Sequence, residues 1–141
     1  DAGRQTLSVD HPPSGWKVDV DADRVDTVGS RLWEMRLTRT RPPVEAVSAG
    51  EQGQRIADRV TGLLEPLALV EADGERNVAQ LRSRTPTRQG DAADYYEVVR
   101  HSDGATRFGR YRGQRTAGGR EPVPFSLTHE VLGKLLGDLA D

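Results

Sequence analysis

The segment Asp94–Arg112, DYYEVVRH-SDG-ATRFGRYR, holds all three tyrosines and one of the two phenylalanines of the chain. Two runs rich in aromatic and β-branched residues flank Asp103-Gly104, a pair that favours a tight reversal because glycine reaches positive φ without steric cost. The segment therefore reads as a β-hairpin, with strands over Tyr95–His101 and Ala105–Arg112. Two registers fit it. A two-residue Asp-Gly loop sets Val99 opposite Phe108 and Glu97 opposite Arg110, but also Arg100 opposite Arg107, a like-charge pair. A three-residue Ser-Asp-Gly loop with a bulge at Gly104 sets Val98 opposite Phe108, Tyr95 opposite Tyr111 and Tyr96 against Arg110. A one-residue slip exchanges the faces of a strand. The register thus decides whether Arg100, Arg107, Arg110 and Arg112 gather on one surface, and the sequence leaves both forms open.

Before the hairpin, Val78–Arg84 reads as a strand, with Ala79 and Leu81 on one side and Gln80 and Arg82 on the other. Thr85–Ala93 contains Pro86 and Gly90 without apolar periodicity, which predicts an exposed loop. Leu67–Glu71 predicts another strand, ended by the turn pair Asp73-Gly74. Residues 1–13 read as an extended lead-in closed by Pro12-Pro13, followed by an α+β domain over 14–141. Gly15–Asp21 alternates strictly, with Trp16, Val18 and Val20 on one side. Arg31–Arg39 sets Trp33, Met35 and Leu37 on one face and Leu32, Glu34, Arg36 and Thr38 on the other, so both tryptophans are expected in one core.

Two helices follow from capping and stripe patterns. Ser48 and Glu51 form a capping-box pair ahead of Ile56, Val60, Leu63 and Leu64, and Pro66 is expected to end that helix within a residue or two. Gly53 and Gly62 each cost roughly 1 kcal/mol within it, so packing must hold it together. Thr128 caps the second helix, where Val131, Leu132, Leu135, Leu136 and Leu139 form one stripe reaching about Ala140. Gly113–Pro124 reads as a connection. The element order is ββα-ββββα. The expected fold is α+β, a mainly antiparallel sheet of about six strands with two helices on one face.

At 141 residues with 35% hydrophobic and 30% charged side chains, the chain can bury one core and remain well solvated. No apolar run approaches the roughly 18 residues of a membrane span, so no membrane partner is expected. Cysteine is absent, which removes disulfides and thiolate ligands. The start at Asp1 fits a processed form or a piece of a longer protein. It is compatible with a cytoplasmic protein and with one whose export signal was removed. Net charge is −2, but residues 76–120 carry 10 basic and 4 acidic side chains while residues 1–75 carry 9 basic and 14 acidic. Internal pairing of complementary strands accounts for that asymmetry, and so does a basic face built from Arg82, Arg100, Arg107, Arg110, Tyr111 and Arg112.

Chemistry-bearing motifs are sparse. Asp19, Asp21, Asp23 and Asp26 resemble the start of a calcium loop, but Arg24 occupies the turn-glycine place and Ser30 the twelfth position. His11, His101 and His129 share no metal-ligand spacing and neighbour no nucleophile. Gly118-Gly119, between Arg115 and Arg120, lacks the strand-to-helix context of a phosphate loop. No cofactor is implied and a catalytic role is disfavoured. The leading expectation is a non-catalytic interaction module or accessory subunit that uses the outer sheet face or an edge to bind a protein partner or a second copy of itself. The alternatives are single-stranded nucleic-acid binding through the run Arg107–Arg112, and an enzyme whose site is assembled from distant residues.

Overall fold

The hairpin adopts the three-residue form. Val98 pairs with Phe108, Tyr95 with Tyr111 and Tyr96 with Arg110. The His101 carbonyl accepts the Gly104 N–H at 2.9 Å, and Gly104 takes φ +96°. A side chain at that position would be strained, and its Cβ would lie 2.7 Å from the Arg39 side chain.

The computed structural model describes residues 3–11, 14–43, 45–114 and 118–140. Their elements are β1 (Gln5–His11), β2 (Trp16–Val25), β3 (Gly29–Arg39), α1 (Ala49–Arg59), β4 (Leu67–Asp73) and β5 (Val78–Ser83). There follow β6 (Thr87–Gln89), β7 (Ala92–His101), β8 (Thr106–Gln114), β9 (Arg120–Pro122), β10 (Phe125–Thr128) and α2 (His129–Ala140). The strands make one antiparallel sheet in the order β1-β2-β3-β8-β7-β5-β4, with β10 also on β3, β6 on β7 and β9 on β8.

The α+β class, the antiparallel sheet and the two helices agree with expectation, but the sheet has ten described strands rather than six. β1 lies within the segment read as a lead-in; Pro12 and Pro13 are outside the described residues. β6 occupies the expected loop over 85–93, and β9 and β10 flank the end of the expected connection. Strands of three or four residues hold too little alternation to register as a pattern.

Two further expectations change. Both tryptophans do not share the core. The β2–β3 register slips between Asp21↔Glu34 and Ala22↔Leu32, which leaves Trp33 unpaired across the ladder. Such a bulge exchanges the faces beyond it. Leu32 is buried in the core, while the Trp33 indole N–H donates to Asp23 at 2.9 Å and the Arg4 guanidinium sits 4.3 Å from the ring centroid. The first helix ends at Arg59 instead of near Pro66, with Val60 extended at its C-cap and Gly62 at φ +90°. Leu64 consequently stands exposed.

The core forms between the inner sheet face and both helices. Trp16, Met35, Leu37, Leu81, Val98 and Phe108 meet Ile56 of α1 and Leu135 and Leu139 of α2. Ser48 caps α1 by accepting the Glu51 N–H, and Thr128 caps α2 by accepting the Val131 N–H. Gly53 is the point of closest approach of α1 to the sheet, since a Cβ there would lie 2.9 Å from that of Ala79. Phe108 is fully buried between Tyr96 and Phe125, at centroid distances of 5.6 and 5.5 Å. Phe108→Ala should therefore cost about 3–5 kcal/mol in a urea titration; a loss under about 1 kcal/mol would show that this cluster does not hold the sheet to the helices.

Candidate functional site

The register distributes the six expected site residues over both faces of the sheet. Arg100 and Arg110 point inward and are buried, at 2% and 7% exposure. Arg82, Arg107 and Tyr111 lie on the outer face. Arg112 donates from Nε and Nη2 to both Asp94 carboxylate oxygens, at 2.8 and 3.0 Å. These side chains form no single basic patch.

Arg110 belongs to a buried polar cluster. It donates to both oxygens of Glu65 at 3.0 and 2.8 Å, and its guanidinium lies 4.3 Å from the Tyr96 ring centroid. Ser83 Oγ donates to Glu65 at 2.6 Å, and the Thr87 hydroxyl donates to its second oxygen. The same Ser83 oxygen accepts the Tyr96 N–H. Burial alone would raise the Glu65 pKa, but the Arg110 fork and the two hydroxyls outweigh it and hold the carboxyl below its ordinary range. Every acceptor is used, so the cluster fixes β8 against the segment after α1 and leaves no free base.

The outer face is an interlocked array of opposite charges. Glu97, 3% exposed, accepts from Arg120 at 2.5 and 2.8 Å, from Arg82 at 3.1 Å and from Gln80 at 2.9 Å. Arg120 stacks 3.9 Å from the Tyr111 centroid and Arg82 lies 5.3 Å from that of Tyr95. Burial pushes the Glu97 pKa up, and its arginine partners bring it below the usual value. Farther along the same face, Arg36 bridges Asp21 and Glu34, and Glu34 meets Arg107 at 3.7 Å.

The acidic run of β2 is engaged in the same way. Asp19 accepts from Ser8, Asp21 from Thr6 and Arg36, and Asp23 from Arg31 and Trp33. Asp26 accepts the backbone N–H groups of Val28 and Gly29. Hydrogen bonds from Arg31 and Trp33 lower the Asp23 pKa to about 2. Among the described residues, no group of three or more His, Asp or Glu side chains is placed to hold a metal ion. His11, His101 and His129 are exposed on separate elements, and Arg115 lies outside the described residues.

The least satisfied surface is the β1 edge. β1 pairs with β2 over seven residues without a register shift, and its other side has no strand among the described residues. Leu7 and Val9 lie opposite Val20 and Val18, on the inner face, yet remain 43% and 61% exposed. The opposite edge differs: β4 has a register shift between Leu69 and Glu71, and it carries Glu71 and Asp73. Bulges and charges of that kind discourage edge pairing, and β1 has no bulge and only Asp10 and His11 at its end. The alternation Leu7-Ser8-Val9-Asp10 is the sequence signal that identifies this strand. Arg100 completes the set of sites, facing a cleft near the end of α2.

Glu65→Gln should cost about 3–5 kcal/mol at neutral pH, because Arg110 then stays buried without a counter-charge; replacing both partners by apolar residues should cost less. Unfolding free energies of the single and double variants test this, and equal losses would show that the charge pairing is not what matters. Because the native pKa values of Glu65 and Glu97 are depressed, the unfolded chain binds protons more readily. Stability should be level above the ordinary Glu value of about 4.3 and decline as pH falls toward the native values, as read from the thermal midpoint. A midpoint unchanged across that range would refute the assigned pairings.

Comparison with protein-family models, curated proteins and solved structures returns no match to this chain.

Proposed function

We propose that this chain is a non-catalytic interaction module that joins a second copy of itself through strand addition at the β1 edge. The observation that carries the reading is a regular seven-residue edge strand with two exposed apolar side chains, on a sheet whose other edge is bulged and acidic. An open edge presents alternate backbone N–H and C=O groups to an incoming strand. Exposed Leu7 and Val9 add apolar area that neither helix covers.

Self-pairing also fits the side-chain order. An antiparallel pair of β1 strands centred on Ser8 sets Leu7 against Val9 of the copy, Thr6 against Asp10 and Gln5 against His11. The two ionisable residues of β1, Asp10 and His11, thus face neutral ones, and like charges are not opposed. The arrangement is isologous and closes as a two-fold dimer. The outer face, with its charges matched within the chain, would flank this interface without driving it.

Sedimentation velocity across micromolar to submillimolar concentration tests the proposal, with Val9→Lys as the discriminating variant. The wild-type chain should form a dimer. The substitution should shift it to monomer while changing the thermal midpoint of the monomer little, because Val9 is largely solvated. A wild-type chain that stays monomeric throughout, or a dimer indifferent to Val9→Lys, would defeat it.

A further inference from the structure

Arg100 is the largest of the fully buried side chains, and it has no carboxylate partner among the described residues. A buried guanidinium is ordinarily paired, because removing a charge from water costs several kcal/mol. Its Nε donates to Gln52 Oε1 at 2.8 Å, and its Nη1 donates to Thr106 Oγ1 at 2.9 Å and to the Leu139 carbonyl at 2.5 Å. The last contact has a structural purpose. Leu139 lies in the last turn of α2, where carbonyls lack intrahelical partners and carry partial negative charge. That purpose accounts for Nη1 and leaves Nη2 without an acceptor among the described residues.

Most of the charged side chains around it are also arginines. Arg100 borders a cleft of about 270 Å³ that Arg39, Arg55 and Gln52 also line, with Glu45 as its acidic wall residue among the described residues. Arg39 is held there by stacking 4.5 Å from the Trp16 centroid, and Arg100 lies 5.3 Å from the same ring. Arg55 is exposed on α1 at the cleft rim. Burial, and then the neighbouring Arg39 and Arg59, lower the Arg100 pKa to about 10, against a smaller opposing effect of Asp103. The fold thus holds like charges together that a bound anion would relieve.

We infer that this cleft is an oxyanion site, in which Arg100 Nη2, Arg39 and Arg55 bind a phosphate-class dianion. Guanidinium groups present paired N–H donors that match tetrahedral oxyanions. A dianion suits a wall with a clear excess of positive charge better than a single carboxylate does. The site lies apart from the β1 edge, so either can fail without the other.

Thermal unfolding in inorganic phosphate, against chloride and acetate at matched ionic strength, provides the test. A native-state ligand raises the midpoint in a saturable way. Phosphate should do so, acetate and chloride should not, and the side-chain NMR resonances of Arg100 should move with the same concentration dependence. Arg55→Ala removes an exposed side chain, so it should fold normally and weaken phosphate by about tenfold. The assignment is overturned if acetate or chloride matches phosphate, if Arg55→Ala leaves the response unchanged, or if the Arg100 resonances stay fixed.

Discussion

One backbone turn sets the faces of the central strands. With the His101 carbonyl closing on the Gly104 N–H, three residues are used in the turn, and Val98 meets Phe108. Shortening that loop by one residue would set Phe108 opposite Val99 and separate Tyr96 and Arg110 onto opposite faces of the sheet. Because β8 lies between β7 and β3, where Met35 pairs with Phe108, the error would spread across the sheet. A glycine at φ +96° beneath the Arg39 side chain secures the correct form. The rival form is also penalised by placing Arg100 against Arg107.

Once the register is set, the inner face of the hairpin buries two arginines as well as its apolar residues. They are handled differently. Arg110 meets Glu65 in a closed cluster, with two hydroxyls completing the carboxylate's bonds. A buried pair of this kind contributes little net stability, but it penalises any arrangement that separates its members. It therefore ties the chain after α1 to β8 in a single way. Arg100 donates only to neutral acceptors, one of them a carbonyl in the last turn of α2, and bonds to no carboxylate among the described residues. Two buried guanidiniums on neighbouring strands thus mark, respectively, a finished structural joint and an unfinished one.

The sequence was legible where the pattern was local. Alternation identified β2, β3 and β5, turn glycine identified the hairpin, and Ser48 and Thr128 identified the helix starts. What escaped was decided by contacts between distant residues. Trp33 has the spacing of a core residue, yet a bulge opposite Asp21 and Ala22 turns it toward Asp23 and Arg4, and no spacing in β3 announces that. The apolar residues Leu63 and Leu64 continue the helical period, but the chain turns extended at Val60 and takes positive φ at Gly62 before them. Of the expected arginines, sequence alone could not assign faces, because each assignment depended on the same one-residue choice at the turn. Glu65 and Glu97, which neutralise that arginine-rich region, lie 45 and 13 residues from Arg110.

The charge asymmetry along the chain then takes on a physical meaning. The acidic early strands and the basic middle strands are neighbours in the sheet, joined where β3 meets β8, and their side chains interlock across the outer face. A polyanion approaching that face would have to displace carboxylates already held by the same arginines, at Glu97 by Arg82 and Arg120 together with Gln80. Apolar contact is also limited there, because Tyr95 and Tyr111 are covered by Arg82 and Arg120. With the outer face satisfied from within, the features among the described residues whose groups are not so matched are the backbone of β1 with Leu7 and Val9 beside it, and the Arg100 cleft. The first offers hydrogen bonds and apolar area but little charge, and the second offers charge in a small volume. The two proposed sites would therefore take ligands of different kinds, an extended chain at one end of the sheet and a small anion beside the helices.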